Sequence, residues 1–201
     1  GALHRRLLEL GVTILENAPI SGAEPGPHGL RRITAGDQQV GGDAYVLAAG
    51  AWTGPISRLL GVPLPVRPGK GYSIDVAPYD LRSSVNLSDA KVAVTPLARN
   101  LRIAGTMEFA GLDEELNSLR VGAILRAPGA YFRDWTPPTG PVTPKAGIRP
   151  MTPDGIPVIG RLGNLANTYV SSGHGMQGIT LGPGSALALS RMVLHGETPD
   201  V

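Results

Sequence analysis

Between Ser171 and Ser185 the chain reads Ser-Ser-Gly-His-Gly-Met-Gln-Gly-Ile-Thr-Leu-Gly-Pro-Gly-Ser, and no other stretch restricts the fold so strongly. The apolar run Thr168-Tyr169-Val170 leads into it, and Ala186 to His195 follow with the apolar spacing of a helix packed on one face. The expected order is strand, glycine-rich turn, helix. Glycines remove the Cβ atoms that would hold a flat ligand off the backbone, and the first turn of a helix presents unpaired N–H groups with a partial positive charge. Such a turn faces an anion or an electron-rich ring, or else it is an ordinary βα turn whose glycines allow tight packing.

With 201 residues there is chain enough for one large domain or two small ones, each with a sizeable core. The 28 glycines and 19 prolines punctuate apolar runs instead of forming low-complexity tracts, so they read as turns. Charge is nearly balanced at +2, without a basic block, which gives no electrostatic footprint for nucleic acid. The absence of cysteine excludes disulfides, zinc–thiolate sites, iron–sulfur clusters and thiol-tethered cofactors. His4, His28, His174 and His195 show no ligand spacing, so no metal site is expected. No apolar run approaches the ~20 residues that span a bilayer, and Gly1 to Arg6 lack the apolar centre of a signal peptide. A cytoplasmic location is expected, with attachment to the inner face of a membrane as the variant.

Leu3, Leu7, Leu8 and Leu10 around Arg5, Arg6 and Glu9 predict a short amphipathic helix that stops at Gly11. Strands are expected at Val12–Leu15, Leu30–Ile33 and Gln38–Val40, with Pro25-Gly26-Pro27 as loop. The unalternating run from Ala44 to Thr53 suits a parallel strand buried on both faces. Such a strand needs neighbours that residues 1–43 hardly supply, and no G-x-G-x-x-G fingerprint lies upstream of it. We therefore expect the 201 residues to be an excised part of something longer. From Val62 onward the texture changes. Prolines mark a boundary, and Gly71–Val76, Lys91–Pro96 and Asn100–Thr106 alternate like antiparallel strands exposed on one side. Asp113-Glu114-Glu115 is placed to start a helix reaching about Ala127. A proline-rich connection from Trp135 to Pro144 then delivers Lys145–Arg149, the turn Pro153-Asp154-Gly155 and a short strand.

Five runs in order carry a family likeness: Val46-Leu47-Ala48-Ala49-Gly50-Ala51-Trp52; Pro68-Gly69-Lys70-Gly71-Tyr72-Ser73; Arg102-Ile103-Ala104-Gly105-Thr106-Met107-Glu108; Gly147-Ile148-Arg149-Pro150 with Pro153-Asp154-Gly155; and Gly173-His174-Gly175-Met176-Gln177-Gly178. Together they span nearly the whole chain and resemble the FAD-dependent oxidoreductases of the D-amino-acid oxidase family, above all its D-amino-acid dehydrogenase branch. The departure is the N-terminal third, which in the family holds the nucleotide half of FAD. The resemblance implies an α+β fold: an α/β remnant of an FAD-binding domain with a mostly antiparallel cap sheet and flanking helices. It divides the chain into a partial FAD-binding domain at 1–61, a substrate or cap domain at 62–146, and the C-terminal segment of the FAD-binding domain at 147–201.

The same likeness implies oxidation of the C–N bond of an amino acid, in all expectation a D-amino acid, by hydride transfer to non-covalently held FAD. Water then hydrolyses the imino acid to a 2-oxo acid and ammonia. Arg149 is assigned the substrate carboxylate, because a planar guanidinium grips it through two parallel charge-assisted hydrogen bonds. Tyr72 either lines the substrate pocket or is a cross-strand aromatic with its hydroxyl in water. Cofactor contacts are assigned to Gly50, Trp52, Gly175, Gln177, Gly178, Ile179 and Thr180, the backbone N–H groups of the last three facing charge that develops on the reduced ring. Trp52 packs near the cofactor or in plain core, and His174 more readily satisfies a backbone carbonyl than takes part in catalysis. Glu108 is expected to pair with basic residues and Met107 to be core.

Two alternatives stand beside this one. A non-catalytic cap or scaffold subunit would keep the sheet and lack flavin. An oxidase of glycine or sarcosine type would lack the thiol link to flavin common in the latter group, since cysteine is absent. The electron acceptor is expected to be membrane-linked or soluble, and a further segment or subunit to complete the FAD site.

Overall fold

The computed structural model describes residues 1–140 and 142–197. Pro141, within the expected connection, and the last four residues of the third expected segment lie outside the described residues. Among the described residues there are four α-helices and eleven strands, the strands forming three sheets with most pairs antiparallel, which gives the expected α+β class.

Helix α1 (Ala2–Glu9) forms where the leucine spacing predicts it, and none of its residues is buried. Val12–Leu15, expected as a strand, has no strand conformation; three of the four residues are exposed and no neighbouring chain offers a ladder. Next comes a three-stranded antiparallel sheet of β1 (Ile20–Gly26), β2 (Gly29–Ala35) and β3 (Gln38–Gly41). Pro25 and Gly26, expected as loop, close β1, with an irregularity between Glu24 and Pro25. A proline is tolerated there because β1 is an edge strand and the ladder shifts register at that point.

The apolar run after Asp43 yields only β4 (Tyr45–Leu47), which pairs in parallel with β11 (Thr168–Ser172); β11 also pairs antiparallel with β10 (Val158–Arg161). Leu47 is buried, but Val46 is 49% exposed, so the expectation of burial on both faces fails. The run turns instead through a 3-10 segment, Gly50–Trp52, into α2 (Thr53–Leu59), a helix that its glycine and proline conceal in the sequence. Leu47, Leu162 and Val170 make the small core between them, flanked by Ile56 and Leu60.

The largest sheet has the order β6-β7-β8-β5-β9, all neighbours antiparallel: β5 (Arg67–Val76), β6 (Val85–Leu87), β7 (Val92–Pro96), β8 (Leu101–Glu108) and β9 (Thr143–Met151). Alternation along β7 and β8 puts Val92, Val94, Leu101 and Ile103 in the main core with Ile74 and Tyr72. Helix α3 (Ser118–Arg126) covers this core through Ile124, which is fully buried. Its start lies later than the acidic triplet suggests, because Asn117 caps it by accepting from the N–H groups of Leu119 and Arg120. Asp113 is engaged elsewhere. Helix α4 (Gly178–His195) ends at Gly196, whose φ of 68° suits a left-handed cap. No described helix is long and apolar enough to cross a membrane.

Candidate active site

Arg149 sits on β9 opposite Gly69 of β5, and Gly71, two residues along, pairs with Gly147. A side chain on Gly71 would coincide with the Arg149 guanidinium, so the glycine vacates the space that this group fills. A glycine inside a strand marks such a close approach. The Arg149 side chain faces an open cleft of about 910 Å³, lined among others by Lys91, Thr106, Met107, Arg120 and Met176. Three of the lining residues are cationic and none carries a carboxylate.

Among the described residues, three buried side-chain polar atoms have no hydrogen-bond partner: one terminal nitrogen of Arg149, Thr106 Oγ1 and Thr152 Oγ1. Arg149 and Thr106, which carry the first two, are lining residues of this cleft. Burial pushes the Arg149 pKa down from its ordinary value, as expected for a cation without a counter-charge. Unpaired buried polar groups cost about 1–3 kcal/mol each, so native proteins rarely keep them without a use. A second cleft of about 540 Å³, between Arg58, Arg67 and Phe109, holds neither of these atoms.

Tyr72 lies elsewhere than the pocket reading of the sequence places it. It is 1% exposed within the main core, is absent from the cleft lining, and donates its hydroxyl to Glu108 Oε2 at 2.8 Å. Its hydroxyl does not reach water either. Glu108 is a hub: Arg120 Nε reaches the same oxygen at 3.0 Å, and Lys70 Nζ stands 3.7 Å from the other. The carboxylate thereby fixes Arg120 at the cleft wall. Lys70 is itself buried and donates to Asp113 Oδ2 and to the Glu115 carbonyl, both at 2.9 Å. A buried ammonium with fewer partners would be severely destabilising.

The glycine turn adjoins the end of β9. Gly175 donates its N–H to the Pro150 carbonyl at 2.9 Å, and Met176 reaches the cleft that Arg149 lines. Gly173 and Gly175 have φ of 81° and 55°, a conformation that explains the residue type at both. Gly173, Gly175 and Gly178 also fall at G-x-G-x-x-G spacing between β11 and α4, a spacing suited to close approach of a ligand to backbone N–H groups. The N–H groups of Gly178, Ile179 and Thr180 precede the first intrahelical bond, from Leu181 N–H to the Gln177 carbonyl. Gln177 makes no side-chain cap, and Ile179 is 96% exposed. His174 bonds Ser185 through Nε2 at 2.8 Å, side chain to side chain, in place of the carbonyl expected.

Gly50 has φ of 53°, and its carbonyl accepts from Ser172 Oγ at 3.2 Å. The Gly50–Trp52 segment packs on β9, with Trp52 half exposed. Free helix-start donors beside uncovered apolar side chains fit a flat ring that gains negative charge along one edge. Met107 lines the cleft instead of core. Glu108 pairs with basic residues as expected, while sequence reading missed Thr106, Gly71 and the identity of the partners, Lys70 and Arg120. Only Gly71, a glycine between bulky strand residues, left a local trace.

A mixed α+β chain with an antiparallel sheet, a glycine turn at a helix start and an arginine with a buried, unpartnered nitrogen fits a flavin-type oxidoreductase architecture. The family described as FAD dependent oxidoreductase, DAO, matches residues 1–192, and the chain belongs to it. A D-amino acid dehydrogenase of Xanthobacter autotrophicus is 37% identical over 206 residues, covering 95% of this chain and 46% of that protein. One from Bradyrhizobium diazoefficiens is 36% identical over 218 residues, covering 100% and 48%. The chain thus spans about half the length of these relatives. In fold it is similar to glycine oxidase from Geobacillus kaustophilus, with a TM-score of 0.85 and 24% identity over 100% of this chain and 54% of that one. L-proline dehydrogenase from P. horikoshii gives 0.83 and 19%, over 98% and 55%.

Proposed function

We propose that this chain supplies the substrate cleft and the ring-facing part of the flavin site of an enzyme that oxidises a D-amino acid to an imino acid. The single observation that carries this reading is the buried, unpartnered guanidinium nitrogen of Arg149 on a cleft that the glycine turn also borders through Met176. Arg149 grips the α-carboxylate through two parallel hydrogen bonds, which fixes both the position and the roll of the substrate. Orientation is the main contribution, since holding the Cα in one attitude removes much of the entropic barrier. FAD, held non-covalently, supplies the acceptor for the hydride that leaves the Cα. Gly178, Ile179 and Thr180 would hold its ring through backbone N–H groups, with Gly50, Trp52, Gly175 and Gln177 bordering it. Water hydrolyses the released imino acid to a 2-oxo acid and ammonia.

The nucleotide half of FAD is held, on this reading, outside these residues, by a further segment or another subunit. Residues 1–61 and 147–201 belong to the cofactor side and 62–146 to the cap. The enzyme works at the cytoplasmic side, passing electrons to a soluble or membrane-linked acceptor. Relatives named as D-amino acid dehydrogenases support the substrate class.

The test is Arg149→Lys in the flavin-loaded protein. The charge stays and the fork is lost, so kcat/KM for the amino acid falls on the order of 100-fold while flavin affinity is unchanged. Parallel loss of flavin and turnover would make Arg149 structural and defeat the proposal.

A further inference from the structure

Three features coincide at Thr106 and at no other residue lining the cleft. It lies on β8 where the ladder with β5 shifts register: Lys70 pairs with Glu108 and Tyr72 with Gly105, which leaves one extra residue on β8. Its φ is 63°, one of three non-glycine residues in the left-handed region among those described. Another of the three, Lys91 at 53°, accepts the Thr106 N–H through its carbonyl at 3.2 Å and lines the same cleft. A bulge of this kind re-aims a side chain, and a β-branched residue holds such a conformation only where its surroundings impose it. The third feature is chemical. Thr106 Oγ1 is buried and has no partner among the described residues.

We infer that Thr106 is a second substrate anchor, whose hydroxyl accepts a hydrogen bond from the amino group of the amino acid that Arg149 holds by its carboxylate. This rests on the reading of Arg149 proposed above. The amino group needs an acceptor, and the cleft offers few. Its charged side chains, Lys91, Arg120 and Arg149, are donors only. Ser84 and Asn86 are exposed at the rim, where solvent competes for their oxygens. Thr106 is the one buried side-chain acceptor on the lining. A neutral acceptor also suits the reaction, because a carboxylate there would hold the amine as its ammonium form and withhold the lone pair needed to form the C=N bond.

The test uses two flat, non-oxidisable probes with the flavin-loaded protein. Pyrrole-2-carboxylate carries an N–H donor on the carbon next to its carboxylate, and thiophene-2-carboxylate is nearly isosteric without the donor. Calorimetric titration should show Thr106→Val binding the pyrrole about tenfold more weakly than wild type with little change for the thiophene, whereas Thr106→Ser restores the pyrrole affinity. Thr106→Gly relieves the backbone while removing the hydroxyl, so it reports the same loss if the valine variant folds poorly. Equal effects on both probes, no effect on either, or no binding of either probe by wild type would overturn the inference. Arg149→Lys separates the two readings: it should weaken both probes. Thiophene binding that survives Arg149→Lys removes the carboxylate grip itself, and with it this inference; loss there with unchanged pyrrole selectivity in Thr106→Val removes only Thr106.

Discussion

Gly71 and Arg149 face each other across β5 and β9 so closely that the guanidinium occupies the place where a side chain on residue 71 would begin. Gly71→Ala therefore cannot be accommodated without moving Arg149. Overpacking of this kind costs about 1–3 kcal/mol. On the proposed role of Arg149 the functional cost is larger, because a displaced fork would no longer meet the carboxylate: kcat/KM should fall on the order of 100-fold. Denaturant melts and steady-state kinetics read the two effects. Unaltered kinetics in a folded Gly71→Ala protein would show that the fork has room to spare.

Tyr72 and Glu108 support the cleft from inside the core. Removing the hydroxyl in Tyr72→Phe deletes one of the donors on Glu108 and should destabilise the fold by about 1.5–3 kcal/mol, the range for a hydrogen bond to a charged group. KM should change far less than in Arg149→Lys. A large KM effect with no loss of stability would return Tyr72 to direct substrate contact.

The Lys70–Asp113 pair gives the fold a pH dependence with two edges. The Lys70 pKa is raised above its ordinary 10.5, chiefly by its hydrogen bond to Asp113 and against the effect of burial. The Asp113 pKa is lowered below its ordinary 3.8, chiefly by the Glu115 N–H and then by Lys70. A raised amine contributes fully below its unfolded value and loses that contribution as pH rises through its folded one. A depressed carboxyl contributes above its unfolded value and loses it as pH falls through its folded one. The contribution is thus complete between the two ordinary values and fades outside them. Urea midpoints of wild type and Asp113→Asn should differ at neutral pH and converge in acid; a constant difference down to the lowest pH would mean that Asp113 does not titrate with folding.

Thr53 ties the start of α2 to β11. Its hydroxyl donates to Ser172 Oγ at 2.7 Å, and Ser172 donates onward to the Gly50 carbonyl. Both side chains are buried, at 0% and 2% exposure. Thr53→Val keeps the shape and leaves Ser172 without its donor, so stability should drop by about 1–3 kcal/mol. Flavin affinity should fall with it, because Gly50 loses part of its support. A stability loss without any effect on flavin would place Gly50 away from the cofactor.

Much of this protein was legible without coordinates. The glycine turn between strand and helix, the alternating strands of the large sheet and the leucines of α1 are local patterns, and local sterics and periodicity suffice to write them. The motif singled out Arg149, and the structure puts that residue on the cleft lining. What failed did so where partners decide the outcome. Val12–Leu15 had strand composition but nothing to pair with, and the run after Asp43 gave three residues of strand before glycine and a packed neighbour turned it into helix. Asp113 looked like a helix start until a buried lysine 43 positions away claimed its carboxylate. The inward aim of Thr106, the retreat of Tyr72 into core and the space that Gly71 leaves for a guanidinium depend on register between strands far apart in the chain. A sequence specifies its periodicities residue by residue, but burial and the lack of a hydrogen-bond partner are properties of surroundings that exist only once the strands have met.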